Sequence, residues 1–187
     1  MIDSLITNKT RIKLLLRFFL NSGARCYLRG LETEFGESTN SIRLELNRFE
    51  EAGLLVSSMD KNKKVFRANP QHPLFDDIQS IVKKSMGLDQ LVDKVVHKLG
   101  NVSRAYITGR IARGLDDQEI DFVLVGDEID KKFLVILIEK VEKLIKRRVK
   151  CFILRCDEEK EYLTGFREAL LIWESKMNDP AASSGVS

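Results

Sequence analysis

Hydrophobic residues change their spacing at Gly87, and the change divides this 187-residue chain into two units of different construction. Before Gly87, apolar side chains recur every three or four residues. Ile12, Leu15, Leu16 and Phe19 predict a helix from about Thr7 to Leu20, with Thr7 or Asn8 as N-cap and Asn21-Ser22-Gly23 as its end. A shorter helix fits Leu28 to Phe35, closed by Gly36, and a third begins near Ser38 or Thr39, runs to Ala52 and stops at Gly53. Two runs at 54–58 and 64–68, around a polar turn at 59–63, predict a hairpin. Asn69-Pro70-Gln71-His72-Pro73 then breaks the chain, and a helix follows from Leu74 to Met86, a plausible surface for pairing two copies.

Beyond Gly87 helix and strand alternate. Leu91, Val95 and Leu99 set a helix over 88–99, Arg104 to Thr108 a strand, and Gly109 to Glu119 a loop. Ile120 to Val125 is an apolar strand, Lys131 to Lys146 an amphipathic helix, Val149 to Leu154 a third strand and Glu158 to Glu174 a last helix. The segment from Asn178, with Pro180 and Ser183-Ser184-Gly185, is expected to be a disordered tail. The expected class is α+β, divided into residues 1–70, a linker helix at 71–87, a small α/β unit over 88–176 and the tail at 177–187.

Composition excludes several classes. At 43% hydrophobic and 32% charged residues the chain can bury a core, and its longest apolar runs fall far short of the ~20 residues a spanning helix needs. No membrane partner is expected. Met1-Ile2-Asp3-Ser4 lacks the basic region of a signal peptide, which together with three unpaired-looking cysteines, Cys26, Cys151 and Cys156, suggests the cytoplasm. These cysteines and His72 and His97 lack the paired spacing of a zinc site, so no metal or other cofactor is expected. The net charge of +3 hides a split: residues 1–86 carry +4 and residues 87–187 carry −1. The basic excess belongs to the first unit, a weak pointer to a polyanion.

In that unit the string Gly36-Glu37-Ser38-Thr39-Asn40-Ser41-Ile42-Arg43-Leu44-Glu45-Leu46-Asn47-Arg48-Phe49-Glu50-Glu51-Ala52-Gly53-Leu54-Leu55 resembles the recognition helix of winged helix-turn-helix repressors of the ArsR and MarR type. The resemblance covers roughly 8–68 and implies double-stranded DNA as partner, bound by a homodimer. Helical geometry can be read independently of it. At ~100° per residue, Ile42, Leu46 and Phe49 face inward, while Asn40, Arg43, Leu44, Asn47 and Glu51 gather on the other side. Arg and Asn suit bidentate contact with guanine and adenine edges, and Leu44 suits a thymine methyl. Ser38, Thr39 and Ser41 lie at the helix start, where free N–H groups suit phosphate. Lys61, Lys63, Lys64 and Arg67 charge the hairpin that would run beside the DNA backbone. Glu45, Glu50 and Glu51 would repel phosphate if they faced the duplex.

The second string, from Tyr106 to Gly126, resembles the minimal nucleotidyltransferase domain: Gly109, Ala112-Arg113-Gly114 and Asp121 match its signature, and the likeness covers about 88–155. The resemblance implies two carboxylates at i and i+2 of a strand that jointly hold metal ions on nucleotide phosphates, with a third carboxylate on the next strand. Here the first is Glu119, Arg110 stands where the family has Ser, and Lys150 and Cys151 fill the third position. The three departures predict lost transfer activity, with Gly109, Arg110, Glu119 and Asp121 as a remnant able to hold a nucleotide effector without metal, or a purely structural unit. The expected function is a DNA-binding transcriptional regulator that is not an enzyme. The alternatives are an active nucleotidyltransferase acting on a protein or RNA, and an antitoxin-like adaptor.

Overall fold

The computed structural model describes residues 2, 5–166 and 168–175. Helix α1 (Lys9–Leu15) starts where the Asn8 side chain accepts the Arg11 N–H, and continues into a π-helical turn over Leu16–Leu20. Strand β1 (Cys26–Tyr27) leads into α2 (Leu28–Phe35), which ends on Gly36 at φ 62°. Helix α3 (Thr39–Glu51) begins at Ser38, whose hydroxyl accepts the Ser41 N–H. Strands β2 (Leu55–Asp60) and β3 (Lys63–Ala68) form a hairpin closed by two residues, Lys61 and Asn62, with β1 adding to β3 in the order β1-β3-β2. The turn is tighter than the five-residue expectation because Asp60 and Lys63 already pair in register. Strand β1 is too short for any periodic signal and is set by its pairing of Cys26 with Phe66.

Helix α4 (Phe75–Ser85) crosses to the second unit, packing on the π turn behind it and on α5 (Leu88–Leu91) ahead. The chain continues helically through a second π turn (Val92–Val96) and α6 (His97–Leu99). The second sheet holds β4 (Arg104–Thr108), β5 (Glu119–Val125), β6 (Arg148–Leu154) and β7 (Leu170–Glu174) in the order β6-β5-β4-β7. Strands β5 and β6 are parallel, joined by α8 (Lys131–Ile145), whose cap Asp130 accepts two backbone N–H groups; β4 is antiparallel to both β5 and β7.

Two expectations are corrected here. The predicted loop at 109–119 contains a short helix, α7 (Gly109–Ala112), and gives up Glu119 to β5. The predicted last helix is α9 (Glu159–Thr164) only, and Leu170 to Glu174 is a strand paired with β4. A short apolar run fits either period, and the open edge of β4 decides it. The expected tail at 177–187 lies outside the described residues.

One hydrophobic core runs through both units, with Phe18, Phe19 and Phe122 fully buried. Each such side chain contributes about 1.5–3 kcal/mol relative to exposure. The joint between units is also polar. Buried Arg17 holds Glu168 at 3.1 Å and Glu34 at 3.5 Å, and Asn21 donates to Glu168 and to the Ala112 carbonyl. No described helix is long and apolar enough to cross a membrane.

Candidate functional site

Ile42, Leu46 and Phe49 turn the inner face of α3 into the core, which leaves Asn40, Ser41, Arg43, Leu44 and Asn47 exposed on the outer face. The hairpin folds toward that face. Together they bound an open groove of about 670 Å³, lined by Arg43 and Asn47 from α3, Arg29 and Gly30 from α2, and Asn62, Lys63 and Lys64 from the hairpin. Tyr27 and Phe66 also line it. Four cations therefore line the groove and no carboxylate does. The structure thus brings together Arg43, Asn47, Lys63 and Lys64, which the sequence places only on separate elements.

The remaining residues predicted for this site are placed differently. Lys61 and Arg67 are exposed on the hairpin outside the groove lining, and Leu44 is half exposed on α3. Ser38 and Ser41 are engaged with each other: Ser38 accepts the Ser41 N–H at 3.2 Å and donates to its hydroxyl at 2.9 Å. They cap the helix rather than present free hydroxyls, while Thr39 is half-buried and Asn40 exposed beside them.

The acids thought to oppose phosphate have other partners. Glu45 is buried, clasped by Arg11 at 2.7 Å and Arg48 at 2.5 Å. Burial pushes its carboxyl upward, but the hydrogen bonds from the two guanidinium groups outweigh this and hold it below the usual carboxylate range. Glu50 takes the ammonium of Lys64 at 2.7 Å and the Ser57 hydroxyl, which lowers its pKa too. Lys64 is therefore partly neutralised, and Lys63, over the Tyr27 ring, is the hairpin cation in the groove without an ion pair. Arg29, Asn62 and Tyr27 were not foreseen. Arg29 lies on a separate helix, and no local pattern ties it to α3.

The second site lies on one face of the second sheet. Glu119 and Asp121, two residues apart on β5, share a side, and the ladder sets Thr108 and Lys150 across from Asp121. Gly109, at φ 69°, leaves room for the Asp121 carboxylate: a Cβ there would stand 2.2 Å from Oδ2. Arg110 turns away to Asp117, Nε to Oδ2 at 2.7 Å, and the Lys150 ammonium donates to Glu119 at 2.5 Å. Burial raises the Asp121 pKa first, the Glu119 charge adds to it, Lys150 opposes it and Asp117 adds further. Tyr162 is raised by burial and by the Asp121 charge. The expected remnant is thus gathered at Gly109, Glu119 and Asp121, whereas Arg110 is drawn to Asp117.

No protein-family model matches the chain, and no curated protein matches it. Among solved structures, a candidate nucleotidyltransferase from Sulfolobus solfataricus is 22% identical over 54% of this chain and 89% of its own, with a TM-score of 0.38. A protein from Archaeoglobus fulgidus is 17% identical over 50% of this chain and 94% of its own, with a TM-score of 0.36. These distant likenesses define no family for the chain.

Proposed function

We propose that the protein binds double-stranded DNA sequence-specifically as a transcriptional regulator, and that its second unit resembles a nucleotidyltransferase domain without transfer activity. The groove between α3 and the hairpin carries the first part: Arg29, Arg43, Lys63 and Lys64 line it without an acid, beside the amide of Asn47. Cations set along a groove neutralise phosphates, while Arg43 and Asn47 have the donor patterns that read guanine and adenine edges. Selecting duplexes from a random pool and comparing the selected sequence with random DNA tests this reading. A selected duplex should bind at least about tenfold tighter than random DNA at equal salt. Selection that enriches nothing would sink it.

Ion pairing supports the second part. A two-metal clamp needs ionised carboxylates free to ligate. Glu119 is held by the Lys150 ammonium, and Lys150 stands in register beside Asp121 where a third carboxylate would be needed, so the donor set does not fit such a clamp. No reaction step is assigned to these residues. Incubation with labelled nucleoside triphosphates and magnesium or manganese should leave the protein and added RNA unlabelled. Labelling that disappears in Asp121→Asn would favour the transferase instead.

A further inference from the structure

Helix α4, which joins the two units, has two unlike sides. Phe75 and Val82 are buried on one of them, where the Phe75 ring lies 5.7 Å from that of Phe19 in the first unit. At ~100° per residue, Gln79, Ser80, Lys83 and Lys84 share the other side. With α5, the π turn that follows it and β7, this polar side bounds a pocket of about 270 Å³. At ~30 Å³ per molecule that is the volume of about nine waters, the scale of a small metabolite. Leu88, Val92 and Ile172 give the pocket an apolar wall beneath the polar side of α4, the mixture that small-molecule sites commonly show.

Two groups of opposite charge line this pocket without meeting. Lys83 is half-buried, and its ammonium donates to the neutral Oε1 of Gln79 at 2.9 Å. Burial lowers its pKa, and the charge of Asp76 offsets this only in part. On α5, the Asp89 side chain accepts from the side-chain amide of its neighbour Gln90 at 3.3 Å, and its Oδ1 is buried with no hydrogen-bond partner. Among the described residues neither Lys83 nor Asp89 forms an ion pair, although both line the same pocket. Charged groups withdrawn from water and short of partners are destabilising until a partner arrives.

We propose that this pocket binds an aliphatic α-amino acid. The carboxylate of the ligand takes the Lys83 ammonium, its own ammonium donates to Asp89, and its side chain lies on Leu88, Val92 and Ile172. A zwitterion with an apolar body answers all three features. An inorganic anion uses only Lys83 and Lys84, and an apolar molecule only the wall. The site lies apart from the groove of α3 and from Asp121, so this binding does not rest on the DNA reading.

A ligand that binds only the folded chain raises its melting temperature with ligand concentration. The full chain is titrated separately with valine, leucine, isoleucine and methionine at up to about 10 mM, by melting and by calorimetry. At least one of the four should raise the melting temperature and give a heat of binding. Isocaproate, which lacks the ammonium, isoamylamine, which lacks the carboxylate, and sulfate should each bind at least about tenfold more weakly than that amino acid. Lys83→Met and Asp89→Asn should each weaken its binding at least about tenfold. Ser80→Tyr, which fills the pocket and keeps both charges, should do the same. The comparison of probes uses the native chain, so it decides the matter even where a variant fails to fold. No response to any of the four amino acids, an equal response to isocaproate, isoamylamine or sulfate, or binding unchanged in the folded variants would each overturn the proposal.

Discussion

Asp121 is a carboxylate whose surroundings oppose its charge: it is partly buried, beside Glu119 and Asp117, with only Lys150 in its favour. Its folded pKa is raised, so the folded state binds the proton more readily than the unfolded state, and stability falls as pH rises from the ordinary carboxylate range through the raised value. Asp121→Asn should therefore raise the melting temperature at pH 7, and the gain should shrink as pH falls toward about 4. A loss of stability at pH 7 would contradict the repulsion. Glu45 shows the opposite sign. Its folded pKa is lowered, so its contribution is present above the ordinary range and is lost as pH falls through the folded value. Glu45→Gln should cost about 1–3 kcal/mol in urea unfolding at neutral pH and less in acid. In the groove, Arg43→Ala or Asn47→Ala should each cost about 1–3 kcal/mol on a selected duplex and relax preference at one base pair. Equal losses on selected and random DNA would remove their role in reading bases.

Elements with strong local signals were legible before the fold. Helices α2 and α3 follow from the apolar spacing of Leu31 with Phe35, and of Ile42, Leu46 and Phe49, with Gly36 and Ser38 at their ends. Strand β7 was not legible: Leu170-Leu171-Ile172-Trp173 is too short to show a period, and only the edge of β4 makes it a strand. The outer face of α3 and the cations of the hairpin were also legible, because both follow from residue type and spacing. Their convergence with Arg29 was not, since α2 approaches α3 and β3 only through tertiary packing. The fate of the acids was hidden for the same reason: Glu45 turns inward to Arg11, which is 34 residues away in sequence. At this scale the clasp joins α1 to α3, so Arg11→Ala should lower the melting temperature without touching the groove. An unchanged melting temperature would show the clasp to be dispensable.

Across the whole molecule, a groove-bearing unit and a sheet-bearing unit share one core and a buried Arg17 that contacts Glu34 on one side and Glu168 on the other. The central claim concerns the groove, and salt reports on it most directly. Each phosphate neutralised on duplex DNA contributes about −0.9 to the slope of log affinity against log salt. Among the described residues, Arg29, Arg43 and Lys63 are the groove cations that form no ion pair, and Lys64 is engaged by Glu50. Titrating a fluorescent duplex with the full chain over about 50–200 mM salt should give a slope of roughly −3 per copy, and Lys63→Ala should reduce its magnitude by about one. Binding that ignores salt, or a slope that Lys63→Ala leaves unchanged, would contradict the assignment of this groove to DNA.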